Sequence, residues 1–512
     1  MQFSLLRFGP CLLAAGLWVV PVCAQEFVPV SGLYHNRMGV EAILERWVAT
    51  DPKGLRLHTF GEDPEQRVVG LELGGVGDLP LGERPVVWIF GGMDGLSLVG
   101  GEAALHTLST WLGDRSKLPG DLSLIVVPWA SPQDLEATLR GGPQALLGDG
   151  HDVDGDGAVL EMLIEDPEGE WVRVDSSRML ARAEPDDAGR LRRCVEGGQT
   201  RVGQPRGLEV AFPSGEAWGN AAWQGPGRAI ADELLARRTV AVVVLAGVGA
   251  EVARPASCLP EDEEWYGRLA SGWCDHRLDG ADLEHEGLST SPFLDWCYRV
   301  VGVPAVELRL WQPPTVDQTA DQENAWSNMS RVAQLDRRWD RWLDESLGGF
   351  GFVDWRPVDQ GDGARAWVGG WRARTRYNPP ESELESTVAS VAPFVSGLLL
   401  ELPRLELAVV ESTRDEDLVR VVVELRARGK LPLAMAAAGR WSGGAGQKDP
   451  WLELVLPVGA TRLAGPGTGP LEELRGGGPV RIEWLFSAPE ASSFEIRVGA
   501  PGAAPVERRL QP

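Results

Sequence analysis

The chain has 512 residues, is 43% hydrophobic and 24% charged, and carries 74 acids against 49 Lys and Arg, for a net charge of −25. Negative charge spread along a chain argues against nucleic acid or an anionic membrane surface as partner, and favours solubility or cationic partners. The length exceeds what a single core fills, so two or three domains are expected.

Residues 1–24 read as a secretory signal peptide. Arg7 is the lone positive charge, Cys11 to Val20 forms the apolar core, and Val22-Cys-Ala24 suits cleavage after Ala24. A secreted or periplasmic location follows; a membrane anchor is the alternative, although the run is short for a span. No later segment has eighteen apolar residues free of charge, so no span is expected in the mature chain. Four cysteines survive cleavage: Cys194, Cys258, Cys274 and Cys297. In an oxidising compartment they are disulfide candidates with three pairings open, of which Cys258–Cys274 closes the shorter loop. The chain has no CxxC spacing, so no cysteine metal site is expected.

Taken in order, Gly39 to Ala49 has the spacing of an amphipathic helix, and a strand is expected around Gln66 to Leu73. Residues 86 to 90 are an unbroken apolar run, suited to a strand buried on both faces. Gly91 and Gly92 end it, and Ala103, Leu105, Leu108, Trp111 and Leu112 then recur at helical spacing. Leu122 to Pro128 predicts another buried strand. Residues 140–215, rich in Gly, Pro, Asp and Arg, predict a long irregular insertion. Ala229 to Arg238 predicts a helix, Thr239 to Leu245 a strand, Pro292 to Val301 a helix and Ala305 to Leu310 a strand. A long charged helix is expected over Ala325 to Leu347. This alternation predicts an α/β domain over 25–347 with a mixed, largely parallel sheet. Residues 348–384 read as a junction. From 385 to 512 short strands such as Arg404 to Val410, Leu418 to Ala427 and Phe494 to Val498 predict an all-β sandwich without helices.

Few residues point to chemistry. Asp152-Val-Asp-Gly-Asp-Gly157 places three aspartates at alternate positions, a pattern able to wrap Ca²⁺. The twelfth position is Leu163 where a bidentate glutamate is wanted, with Glu161 and Glu165 off register, so a plain acidic turn is the alternative. Glu102 and His106 lie four apart on one helix, which suits surface pairing or partial burial. Ser97 lacks a GxSxG context and an obvious histidine, and phosphate-binding loops and dinucleotide fingerprints are absent.

Several segments, in order, resemble the zinc carboxypeptidases of the carboxypeptidase A type. They are Val87 to Leu112, Asp152 to Gly157 with Glu165 to Trp171, Val240 to Pro255, Pro292 to Tyr298, and Gly302 to Trp311. The resemblance covers roughly residues 30 to 380, and it implies a carboxypeptidase-like α/β/α domain followed by the C-terminal all-β sandwich. In that family two histidines and a glutamate hold zinc, a second glutamate is the general base, and arginines grip the substrate's carboxylate. Carried over, the resemblance puts Met93 and Leu96 at the first histidine and the glutamate, and Ala246 at the second histidine. None of the three suits Zn²⁺. Val210 to Pro213 stands where an arginine-bearing clamp is expected, without its arginine. The general base maps to Arg309 by spacing and to Glu307 by local lettering; Glu307 salt-bridged to Arg309 or Arg254 is the structural alternative.

The expectation is an exported pseudopeptidase whose former cleft binds a peptide, a protein or a cell-wall fragment, with no zinc and with calcium as an option. The alternatives are an active metallocarboxypeptidase using displaced ligands such as Glu102, His106 or His151, and a structural envelope protein.

Overall fold

The computed structural model describes residues 33–511 except 78, 140–149, 174–177, 179, 185, 199–206, 209–211, 213–224, 250–251, 276–290, 313–330, 360–364, 438–449, 472–473, 475–477, 490–492 and 501–502. The expected signal peptide therefore lies outside the described residues.

A seven-stranded sheet anchors the first part of the chain. It uses β1 (Leu55–Phe60), β2 (Val68–Gly74), β3 (Val86–Gly91), β4 (Ser123–Val127), β9 (Thr239–Val248), β10 (Val252–Ala253) and β11 (Ala305–Trp311), in the order β1-β2-β4-β3-β9-β11-β10. The central strands β4, β3, β9 and β11 are parallel, and the outer ones pair antiparallel. The sheet is thus mixed with a parallel centre, as the unbroken apolar runs of β3 and β4 imply. Its alternate residues feed two cores. Val87, Ile89, Val243, Leu245 and Leu308 pack against α1 (Arg37–Thr50), α2 (Leu98–Gly113) and α5 (Pro260–Asp275). Trp88, Phe90, Val242 and Val244 pack against α4 (Gly225–Ala236) and α6 (Pro292–Trp296). α3 (Pro132–Leu139) follows β4.

The expected irregular insertion is a correction. It supplies β5 (Glu161–Glu165), β6 (Trp171–Arg173), β7 (Leu180–Arg182) and β8 (Leu191–Val195). These join β12 (Phe352–Asp359) and β13 (Arg365–Trp371) from the supposed junction in one antiparallel sheet, β12-β13-β5-β8-β6-β7. Three-residue strands β6 and β7 are too short to show periodicity, and β5 pairs with β13 some two hundred residues on, Ala366 opposite Ile164. Between the two sheets, α7 (Arg331–Leu347) brings Trp339, Trp342 and Leu343 against Trp311, Phe352 and Trp371.

A second correction concerns residues 381–402. α8 (Ala373–Tyr377) is followed by α9 (Glu381–Ala389) and α10 (Val391–Glu401), where no helix was expected, so the boundary at 384/385 falls inside a helix. Leu384, Val388, Val391, Phe394, Val395 and Leu398 are buried in the α2 core. By length and composition this 21-residue stretch is apolar enough to cross a membrane, at mean hydropathy 1.2. The same composition serves a core helix.

The sandwich begins after it. β14 (Arg404–Asp415), β15 (Leu418–Arg428), β19 (Val480–Ser487) and β17 (Thr461–Ala464) form one sheet. β18 (Gly469–Pro470), β16 (Trp451–Val455), β20 (Phe494–Ala500) and β21 (Ala503–Leu510) form the other, and alternating residues such as Val421, Val423, Ile482, Trp484, Ile496 and Val498 fill the space between.

Cys194, Cys258 and Cys297 are thiols, which corrects the disulfide expectation for these three. They sit against three different cores, so no two approach each other. Burial pushes the Cys258 thiol up to about 11. The side chain of Cys274 lies outside the described residues.

Candidate functional site

In a sheet of this kind ligands bind at the carboxyl ends of the parallel strands, here the ends of β3, β9 and β11. Met93 leaves β3 and points into the α4–α6 core beside Leu208 and Phe212, at 1% exposure. Its carbonyl accepts hydrogen bonds from Ser131 Oγ (2.9 Å) and Leu208 N (3.0 Å). A Cβ at Gly207 would collide with that carbonyl oxygen, so glycine lets this segment lie directly on the loop.

Asp94 ties the loop internally. Its carboxylate accepts from Leu96 N (3.0 Å), Ser97 N (2.9 Å) and Ser97 Oγ. Ser97 is therefore held by an acid and has no histidine among these partners. Leu96 is buried at 6% exposure. The start of α2 is closed by Asn378, whose Oδ1 accepts from Val99 N and whose Nδ2 donates to Leu96 O, both at 2.9 Å. Asn378 satisfies one of the orphan donors a helix start presents. It is a site residue that sequence reasoning passed over as part of a junction.

On β9 the partly exposed Ala246 stands in register with Arg309 of β11. Arg309 Nε donates to Glu307 Oε1 at 2.7 Å, and both residues are buried. Glu307 and Arg309, the two alternatives for a general base, are thus partners of one another, while Arg254 pairs with Glu263 at 3.0 Å. Met93 and Leu96 lie in the loop after β3, and Ala246 lies late in β9. They supply a thioether and two hydrocarbon side chains, a donor set that does not fit Zn²⁺.

The displaced ligands do not converge. Glu102, buried on α2, accepts from His35 N (2.7 Å) and pairs with His35 Nδ1 (2.9 Å), so it is no surface partner of His106. That hydrogen bond raises the His35 pKa above its ordinary value, outweighing burial. His106 is shifted down by burial, and its Nδ1 is buried without a hydrogen-bond partner. His151 lies elsewhere, its backbone N bonded to Glu196 O.

Among the described residues, one group of three or more His, Cys, Asp or Glu gathers ligand atoms within 4.8 Å: Asp152, Asp154 and Asp156, all exposed. Buried Glu196 organises this loop from below, accepting from Val153 N (2.7 Å), Asp154 N (3.3 Å) and Leu160 N (2.8 Å). Burial pushes its pKa up, against those bonds. Leu163, the twelfth position, is fully buried in β5, so the strand removes that position from the loop.

No family model and no curated protein matches the chain. Solved structures do. Bovine thrombin-activatable fibrinolysis inhibitor, in complex with tick carboxypeptidase inhibitor, is 11% identical, with 72% of this chain and 97% of that one covered at a TM-score of 0.38. A carboxypeptidase A from Helicoverpa armigera is 14% identical, covering 62% and 75%, at 0.34. A metallo-carboxypeptidase from Burkholderia cenocepacia is 13% identical, covering 70% and 69%, at 0.32. These likenesses are too distant to assign the chain to a family.

Proposed function

We propose that this chain is an exported, carboxypeptidase-like protein that binds a peptide or protein ligand without hydrolysing it. One observation supports the reading: the sequence resemblance puts Met93, Leu96 and Ala246 at the positions where a zinc carboxypeptidase carries imidazole and carboxylate, and Glu307, one alternative for its general base, is bound to Arg309 at 2.7 Å. A peptidase site of that type needs a metal to lower the pKa of its water and a free carboxylate to take the proton. Two hydrocarbon side chains and a thioether offer neither. The aspartates of the 152–156 loop suit a hard cation such as Ca²⁺ in a structural role.

Metal content and hydrolysis test this together. The full chain, purified without chelator or histidine tag, is measured by mass spectrometry and incubated with peptides bearing free C-termini. Zinc far below one per chain and intact peptides are expected, with calcium as the cation retained. One zinc per chain, or chelator-sensitive release of C-terminal residues, overturns the proposal in favour of displaced ligands.

A further inference from the structure

The six-stranded sheet built from the insertion curls on itself. Each strand sends one side chain into a single cluster: Leu163 from β5, Trp171 from β6, Leu180 from β7, Leu191 from β8, Trp355 from β12 and Trp367 from β13. β12 and β7 end the strand order on opposite sides, yet Trp355 Nε1 donates to the carbonyl of Arg178, two residues before β7, at 3.1 Å. Arg178 also reaches Asp354 at 3.3 Å. Only a curled sheet brings its edges together in this way. The leucines are fully enclosed, whereas the three indoles are half-buried and form the rim of the concave face.

On the concave face of this sheet the charges are matched, among the described residues, with one exception. Glu161 is gripped by Arg193 through two bonds of 2.7 Å, Glu170 meets Arg182 at 2.9 Å, and Glu165 meets Arg365 at 3.1 Å. Arg182 and Arg193 flank the Trp171 ring at 4.3 and 5.4 Å. Arg173 lies 6.0 Å from the centre of the Trp367 ring, and no carboxylate among the described residues pairs with it. Its Nε is buried with no acceptor. A buried guanidinium N–H without an acceptor is costly, and in a chain of net charge −25 it is also out of place.

We propose that this concave face is a ligand site for a small aromatic carboxylate, with the carboxylate on Arg173 and the ring against the Trp367 indole. A planar guanidinium beside an indole face matches a planar anion carried on a flat apolar body. One unmatched positive charge, ringed by carboxylates that already have partners, suits a monoanion and disfavours a phosphate dianion. The site is separate from the strand ends of the first sheet and does not rest on the non-hydrolytic reading.

Calorimetric titration of the full chain with 1-naphthoate tests it, against 1-naphthalenemethanol, acetate and inorganic phosphate. Saturable binding of naphthoate is expected, with the neutral alcohol and acetate each weaker by roughly tenfold or more, the scale of one charge-assisted hydrogen bond or one stacked ring. Arg173→Met should lose a similar factor while its thermal unfolding stays close to wild type. Arg173→Lys should fall between them, and Arg356→Met, on the exposed side of β12, should bind unchanged. No binding of naphthoate, equal binding of the alcohol, tighter binding of phosphate, or an unaffected Arg173→Met each overturns the proposal.

Discussion

At the scale of single residues, the polar side chains near the strand ends hold structure together. Asn378 bridges Leu96 O and Val99 N with one amide, and it is buried. Asn378→Ala leaves a buried donor and a buried acceptor unmet, so a loss of about 2–4 kcal/mol is expected in urea unfolding. A loss within error would mean that water replaces the amide. His35 works through charge. Its folded pKa is raised by Glu102, so the stability it contributes is fully present below its ordinary value of 6.5 and is lost as pH rises through the raised folded value. His106, shifted down by burial, acts in the opposite sense and withdraws stability as pH falls below 6.5. The stability difference between wild type and His35→Gln, followed by chemical unfolding across pH, should be greatest on the acid side and shrink above the folded pKa. A difference that grows with pH would contradict the Glu102 pairing.

At the scale of elements, α9 and α10 are the least anticipated part of the chain. Their apolar residues Val391, Phe394, Val395 and Leu398 face the α2 core, while Ser382, Glu385 and Ser386 face solvent. Leu398→Ala, at a position 1% exposed, should cost about 2–5 kcal/mol by lost transfer energy and a residual cavity. An exposed membrane-lying helix would instead leave unfolding in water almost unchanged. Short pieces such as β6, β7 and α8 carry no readable period, because three to five residues are too few to express one. The long elements were legible. β3, β4, β9, β11, α1 and the main sandwich strands lie close to where hydrophobic spacing puts them, because each has enough residues to express a period of 2 or 3.6.

At the scale of the whole molecule, the sandwich is not a detachable appendage. Leu431, Met435 and Ala437, from the turn after β15, are buried in the same core as α2 and α10, and Ala436 N donates to Asp262 Oδ2 on α5 at 2.9 Å. A chain ending at residue 384 would leave that core open to water, so it should be insoluble or lack near-ultraviolet circular dichroism. A soluble, cooperatively unfolding product would show that the first core closes without α10. What the sequence determined by itself was the layout: a parallel-centred sheet with helices, then a sandwich, with Met93 and Leu96 in the loop that follows β3 and Ala246 late in β9. Those features depend on residue type and local period, which the sequence displays directly. The tertiary structure alone decided which polar groups meet. Asn378 and Leu96 are 282 residues apart, Trp355 and Arg178 are 177 apart, and Glu102 takes His35 rather than its helical neighbour His106. Such meetings arise from the burial of apolar surface elsewhere, which carries the polar groups along with the backbone, and no local pattern records them.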